Sequence, residues 1–247
     1  MAIRIGLAMT LLQLGIGTVN DVVDAPRDAG RKAGKPIPDG LVPVAAARVL
    51  ASVWFAVAVV VAVGVSATSG ILALIVIGIG LAYDLRLKGT AWSWLPFAIG
   101  IPILPVFGWV GVRGTLPQPF LVLLPAAVAA GAALAIGNAL VDAERDRDAG
   151  VSSIALALGP SRAWRASVAL LASIWVVALG SAIANGSSGP ALAAIGIAGS
   201  VPMIGAVASR GASSALRERA WQAEAIGLAV LAALWLALAL GPVRPTG

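Results

Sequence analysis

The chain has no cysteine and no histidine. Disulfides and thiolate metal sites are therefore excluded, and so are imidazole zinc sites and histidine acid-base chemistry. Charge is equally scarce. Charged residues make up 11% of the 247 positions while apolar ones make up 60%, giving a mean hydropathy of +0.97. A soluble domain of this length has no interior large enough for so much apolar surface. The chain is read as a polytopic membrane protein. Its apolar runs have about the 20 residues that a spanning helix needs, not the ten-residue alternation of an outer-membrane barrel.

The fold class expected is all-α: a transmembrane helical bundle of about eight spans, near 3–19, 42–65, 70–86, 91–111, 120–141, 163–184, 190–208 and 221–241. The first run, Ile5 to Val19, has the length of a signal-peptide core but lacks a basic leader and a small-residue cleavage site, so it is read as a retained span. One set of alternate loops carries Arg27, Arg31, Lys32, Lys35, Arg86, Lys88, Arg145, Arg147, Arg162, Arg165, Arg210, Arg217 and Arg219. The opposite set carries Arg4, Arg113 and Arg244. The positive-inside rule makes the first set cytoplasmic in a multi-pass cell-membrane protein. Basic residues scattered this way do not form a nucleic-acid-binding stripe, despite a net charge of +6.

Eight of the eleven acidic residues fall in two neighbourhoods, Asp21 to Asp39 and Asp142 to Asp148. Each contains N-x-x-x-D-x-x-x-D at the end of an apolar run: Asn20, Asp24 and Asp28, then Asn138, Asp142 and Asp146. Residues four apart share a helix face, so each set forms one polar edge. Pro26 disfavours helix at Ala25 and is expected to end the first helix before Asp28, leaving that residue on a loop. An aspartate at bilayer mid-depth costs about 2.5 to 3.5 kcal/mol, and facing carboxylates repel one another. Bound cations remove both penalties. Mg²⁺ prefers oxygen ligands and is commonly shared between carboxylates and substrate phosphates, so the two edges are read as an intramembrane site for Mg²⁺ and a diphosphate. Lys35, Arg86 and Lys88 would meet diphosphate oxygens left free by the metal. The alternative is ordinary solvated charge at helix ends. Glu144, Asp148, Arg210, Arg217, Glu218 and Arg219 are read as loop charges, with Glu224 reaching the interface from the last span. Pro96, Pro102, Pro105 and Gly100 predict a bent fourth helix that either packs or lines a cavity.

These motifs resemble the UbiA superfamily of intramembrane prenyltransferases. Asn20-Asp21-Val22-Val23-Asp24-Ala25-Pro26-Arg27-Asp28 matches its first signature, N-D-x-x-D-x-x-x-D, and Gly34 to Gly40 is similar to its basic-Pro-x-Pro loop. Asp142, Asp146 and Gly150 resemble the second signature, and Tyr83 to Lys88 is similar to its tyrosine-lysine stretch. The resemblance covers nearly the whole chain and implies a single prenyltransferase-like domain over 1–247. The repeated pattern, offset by 118 positions from Asn20 to Asn138, suggests two pseudo-repeat halves, about 1–118 and 119–247.

By this resemblance the protein is an Mg²⁺-dependent enzyme that moves a prenyl group from a prenyl diphosphate to an aromatic or other lipophilic acceptor, such as a quinone precursor. Asp24, Asp28, Asp142 and Asp146 would be the catalytic metal ligands, with Asn20, Lys35, Tyr83, Lys88 and Asn138 binding substrate. Tyrosine and lysine are four apart in some relatives and five apart here. The family usually has nine helices, with the first signature ending the second; by that pattern a helix upstream of residue 1 is missing. Two other readings share intramembrane carboxylates. A CDP-alcohol phosphotransferase would need Ala and Arg three and four residues after Gly40, where Pro43 and Val44 stand instead, and no G-x-x-x-D-x-x-x-D follows. An ion-coupled transporter would place its carboxylates mid-span. Asp84 either orients an acceptor or pairs with Arg86 or Lys88.

Overall fold

A computed structural model of the chain describes residues 1–30 and 34–241. Arg31, Lys32 and Arg244, three of the residues that carry the charge asymmetry, lie outside these. Eight helices among the described residues are long and apolar enough to cross a membrane. The elements are α1 (Ala2–Asp28), α2 (Val44–Val63), α3 (Ala67–Ala82), a π-helical turn (Tyr83–Leu87), α4 (Leu95–Arg113), α5 (Phe120–Val141), α6 (Ala143–Asp148), α7 (Ile154–Leu158), α8 (Pro160–Ala184), α9 (Gly189–Ala208) and α10 (Ser214–Leu240). The chain divides into two compact units, Met1–Lys88 with Ile103–Leu116 and Gly89–Pro102 with Pro117–Gly247. The division crosses α4 just after Pro102.

Small residues hold many of the inward positions while many large ones face outward, unlike a soluble helix. On α2, Ala47, Ala51, Ala58 and Ala62 are buried, whereas Val49, Val53, Val57, Val60 and Val63 are exposed. Lipid solvates valine as well as protein does, so close helix approach decides the orientation. In the first unit α1 packs on α2 and α3, with Gly15 against Phe55 and Gly80 against Ile16. Ile5, Ala8, Leu11, Leu12, Ala73, Val76 and Phe107 belong to its core.

In the second unit α5 contacts α8 and α10, and α9 lies against both α8 and α10. Three tryptophan N–H groups tie these helices across their interfaces: Trp221 donates to the Leu134 carbonyl (2.9 Å), Trp164 to the Ala206 carbonyl (2.7 Å) and Trp235 to the Ser181 hydroxyl (2.6 Å). A buried indole usually finds such an acceptor, although Trp175 Nε1 has none. Beneath the α5–α6 turn, Ile136, Ala139, Ala143, Ala155 and Ala163 pack as a separate cluster.

The structure corrects several boundaries. α1 continues through Pro26 to Asp28, so Asp28 is helical and 6% exposed, not on a loop. Proline lies in the final turn, and the Ala29 N–H closes that turn on the Ala25 carbonyl at 3.1 Å. α10 begins at Ser214, taking Arg217, Glu218 and Arg219 into helix, and Glu144 and Asp148 lie in α6. Glu224 does not reach the interface: it is 3% exposed, and its Oε2 has no hydrogen-bond partner. Arg217, read as a loop charge, pairs with Glu144 at 2.8 Å.

Gly131 of α5 faces the backbone of Phe97 and Ala98 so closely that a Cβ would overlap the Phe97 carbonyl, whereas a Cβ at Gly78 meets nothing within 4 Å. Gly131→Ala should lower stability by about 1 to 3 kcal/mol. Gly78→Ala should leave the thermal midpoint in detergent unchanged or slightly raised.

Candidate functional site

The first polar edge is built where the end of α1 meets the π turn. Asn20 Nδ2 donates to Asp84 Oδ1 at 2.7 Å, and Lys88 Nζ contacts Asp24 Oδ2 at 2.5 Å. Both contacts link residues 64 positions apart. One turn along α1, from Asn20 to Asp24, therefore matches the step from Asp84 to Lys88 across the π turn.

That turn resolves the altered tyrosine-lysine spacing. Within it, Lys88 N–H bonds the Tyr83 carbonyl at 2.8 Å, an i to i+5 bond that absorbs one residue more than an α-turn. Lys88 thereby remains beside Tyr83, its ammonium 6.0 Å from the ring centroid. A Cβ-free residue follows at once: Gly89 has φ +76°, which turns the chain away after the lysine.

Asp84 pairs with neither Arg86 nor Lys88 directly, as the sequence had left open. It is 4% exposed, accepts from Asn20 and keeps Oδ2 buried without a hydrogen-bond partner. The sequence signal was its isolation, since it is the one acidic residue in the apolar stretch 67–87.

Lys35 reaches Asp21, not Asp24 or Asp28, at 2.6 Å. The Asp21 hydrogen bond is the main reason its ammonium is held above the ordinary lysine pKa, with smaller contributions from the charges of Asp21, Asp28 and Asp24. The loop holding it folds on itself: Gly40, at φ +73°, donates to Ile37, and Leu41 N–H returns to the Pro36 carbonyl at 2.9 Å. Asp21 was not among the site residues expected.

The second edge lies on the α5–α6 turn. Asn138 is in the last turn of α5, Asp142 joins the two helices and Asp146 is in α6. Asp142 pairs with Arg145 at 2.9 Å and is one-third exposed. Gly150 ends α6 in the left-handed region at φ +66°, its N–H bonding Arg147 O and the Val151 N–H bonding Asp146 O at 2.8 Å. This is a Schellman cap, and it explains the glycine after the second signature. Burial, followed by the nearby Asp142 charge, raises the Asp146 pKa above the usual carboxylate value.

Among the described residues no three carboxylates converge into a closed metal cage. Every candidate ligand is an amide or carboxylate oxygen, the donor set of a hard cation. Mg²⁺ retains waters and completes its shell with substrate phosphates, so the oxygens of either edge suit it without a closed cage.

These features define an integral membrane protein, all-helical in its described residues, with aspartate-rich segments at helix ends. The UbiA prenyltransferase family model matches residues 1–226, and the chain belongs to that family. Solved structures share the fold at low identity. A digeranylgeranylglyceryl phosphate synthase is 15% identical, with a TM-score of 0.74 over 96% of this chain and 85% of that one. A UbiA homologue from Aeropyrum pernix K1 is 18% identical, with a TM-score of 0.67 over 96% and 86%. A homologue from Archaeoglobus fulgidus, bound to DMAPP and Mg²⁺, is 17% identical, with a TM-score of 0.69 over 95% and 87%. No curated protein matches this sequence at a significant level.

Two outcomes follow from the geometry. Asn20→Ala strands the buried Asp84 carboxylate and should cost about 1 to 3 kcal/mol of stability. Asp146 has a raised folded pKa, so its protonated form favours the fold and its ionisation destabilises it as pH rises through that value. Asp146→Asn should raise the thermal midpoint at neutral pH, and the gain should vanish below the ordinary carboxylate pKa.

Proposed function

We propose that this protein is an Mg²⁺-dependent intramembrane prenyltransferase that transfers the prenyl group of a prenyl diphosphate to an aromatic or other lipophilic acceptor. The observation that carries the proposal is the paired contact of α1 with the π turn, where Asn20 meets Asp84 and Asp24 meets Lys88 beside Tyr83. Membership of the UbiA family, and a fold shared with a homologue bound to DMAPP and Mg²⁺, support it.

In this reading Asp24 and Asp28 on one edge, and Asp142 and Asp146 on the other, would hold Mg²⁺, with Asn20 and Asn138 supplying amide oxygens or donors beside them. Mg²⁺, when bound, neutralises charge that builds on the departing diphosphate. Lys88, Lys35 and Tyr83 would bind the remaining phosphate oxygens. Lys88 is fixed by the π turn beside Asp24, so its ammonium is positioned before substrate arrives. The C1–O bond of the allylic diphosphate breaks with its electron pair leaving on oxygen. The acceptor then forms the new bond to C1 and releases a proton to the diphosphate. Apolar helix walls would keep water from the allylic cation.

The bias of Lys and Arg between alternate loops supports a cytoplasmic location for both aspartate segments. Their place at helix ends disfavours a transporter with mid-span carboxylates: α1 ends at Asp28 and Asp142 caps α5. Membranes containing the protein should transfer labelled prenyl groups only with Mg²⁺, and Asp24→Ala or Asp142→Ala should each abolish transfer. Undiminished turnover in both variants would refute the assignment. Extracted lipid products, analysed by mass spectrometry, would identify the acceptor.

A further inference from the structure

The second unit contains a cleft that the transferase reading does not use. It has a volume of about 380 Å³ and lies among α5, α6, the start of α8 and the turn between α9 and α10. Arg147, Arg165, Arg210 and Arg217 line it, with Glu144 as the one carboxylate of the lining. Glu144 pairs with Arg217, leaving three without a carboxylate among the lining residues.

Three of the arginines have partners at the cleft, while Arg147, Arg165 and Arg210 remain exposed to an incoming ligand. Arg210 stacks on the Trp164 ring with its guanidinium carbon 4.8 Å from the centroid. Trp164 is itself fixed by its bond to the Ala206 carbonyl. Arg165 Nε donates to the Ser161 carbonyl at 3.3 Å, and Arg217 Nη1 donates to the Ala212 carbonyl at 2.7 Å. Arg217 Nε is buried with no hydrogen-bond partner, although the side chain is only 15% exposed. Pro160 and Ser161 add the positive end of the long α8.

The cleft is also separated from the aspartate edge. On α6, Glu144 and Arg147 are three apart and share one face, whereas Asp142 and Asp146 are four apart and, by helical rotation, share the other. Ala143, 6% exposed, lies in the cleft wall between them.

We propose that this cleft binds a phosphate group, supplied by an anionic phospholipid headgroup or by a soluble phosphate ester. Basic pockets between membrane helices take lipid phosphates in this manner, and the volume admits a phosphate with its glycerol. Guanidiniums suit it because they bind phosphate oxygens two at a time.

The test uses the full-length chain, purified in detergent and stripped of lipid. It is titrated with phosphatidylglycerol, phosphatidylcholine, glycerol phosphate and inorganic phosphate. Native mass spectrometry reads lipid retention, and tryptophan fluorescence, to which Trp164 contributes, reads every ligand. Phosphatidylglycerol should bind more tightly than phosphatidylcholine, and Arg165→Ala with Arg210→Ala should weaken it about tenfold or more. Replacing both by lysine should retain part of the affinity. Glycerol phosphate binding as tightly as phosphatidylglycerol, with the same loss in the double variant, would assign the cleft to soluble esters. Equal affinity in wild type and double alanine variant, no preference for any anionic phosphate, or wild-type affinity unchanged by added NaCl would overturn the proposal. The salt titration needs no variant, so it can still overturn the proposal if the double substitution folds poorly.

Discussion

The structure around the first signature depends on one constraint: a carboxylate carried to the end of a membrane helix has to be met by a donor. Asp84 and Asp24, 4% and 15% exposed, are too buried for water to do it. Asp84 is met by Asn20, and Asp24 by Lys88. These contacts require the end of α1 to run beside the turn that follows α3 in fixed register. Small residues make that approach possible, as where Gly80 of α3 accepts Ile16 of α1 at its surface. Packing and polar pairing therefore specify the same alignment.

The π turn shows how a local irregularity preserves a contact between distant side chains. An additional residue in an α-helix would rotate Lys88 by about 100° away from Asp24. Widening a single turn to i to i+5 absorbs it, and the cost is confined to five residues. The second edge uses a different device. α5 ends at Asp142, and the short α6 is closed by the Gly150 cap, so Asp142 and Asp146 sit on a turn anchored at both ends. Below it, an alanine-rich cluster brings α7 and α8 close.

Charge is distributed by the same economy. With so few charged residues, several are held in specific pairs: Lys35 with Asp21, Lys88 with Asp24, Arg145 with Asp142 and Arg217 with Glu144. Glu224 stands apart, buried near Trp221 with an unpartnered oxygen. Nothing else in the fold accounts for it.

Much was legible before any coordinates. Eight apolar runs of helix length specify eight spans because lipid admits only helices and closed barrels, and identical spacing in two acidic motifs sets Asn20, Asp24, Asp28, Asn138, Asp142 and Asp146 apart. Periodicity could not reveal that α1 passes through Pro26, because one missing N–H in a last turn leaves the helix intact. Nor could it show that α10 starts at Ser214, since charged residues at a helix start look like loop in a hydropathy profile. Partners were hidden for a more general reason. Asp84 choosing Asn20, Lys35 choosing Asp21 and Arg217 choosing Glu144 are contacts between residues distant in sequence, or across a folded loop. Composition and spacing determine which side chains must find a partner, and only the packing of helices decides which partner is within 3 Å.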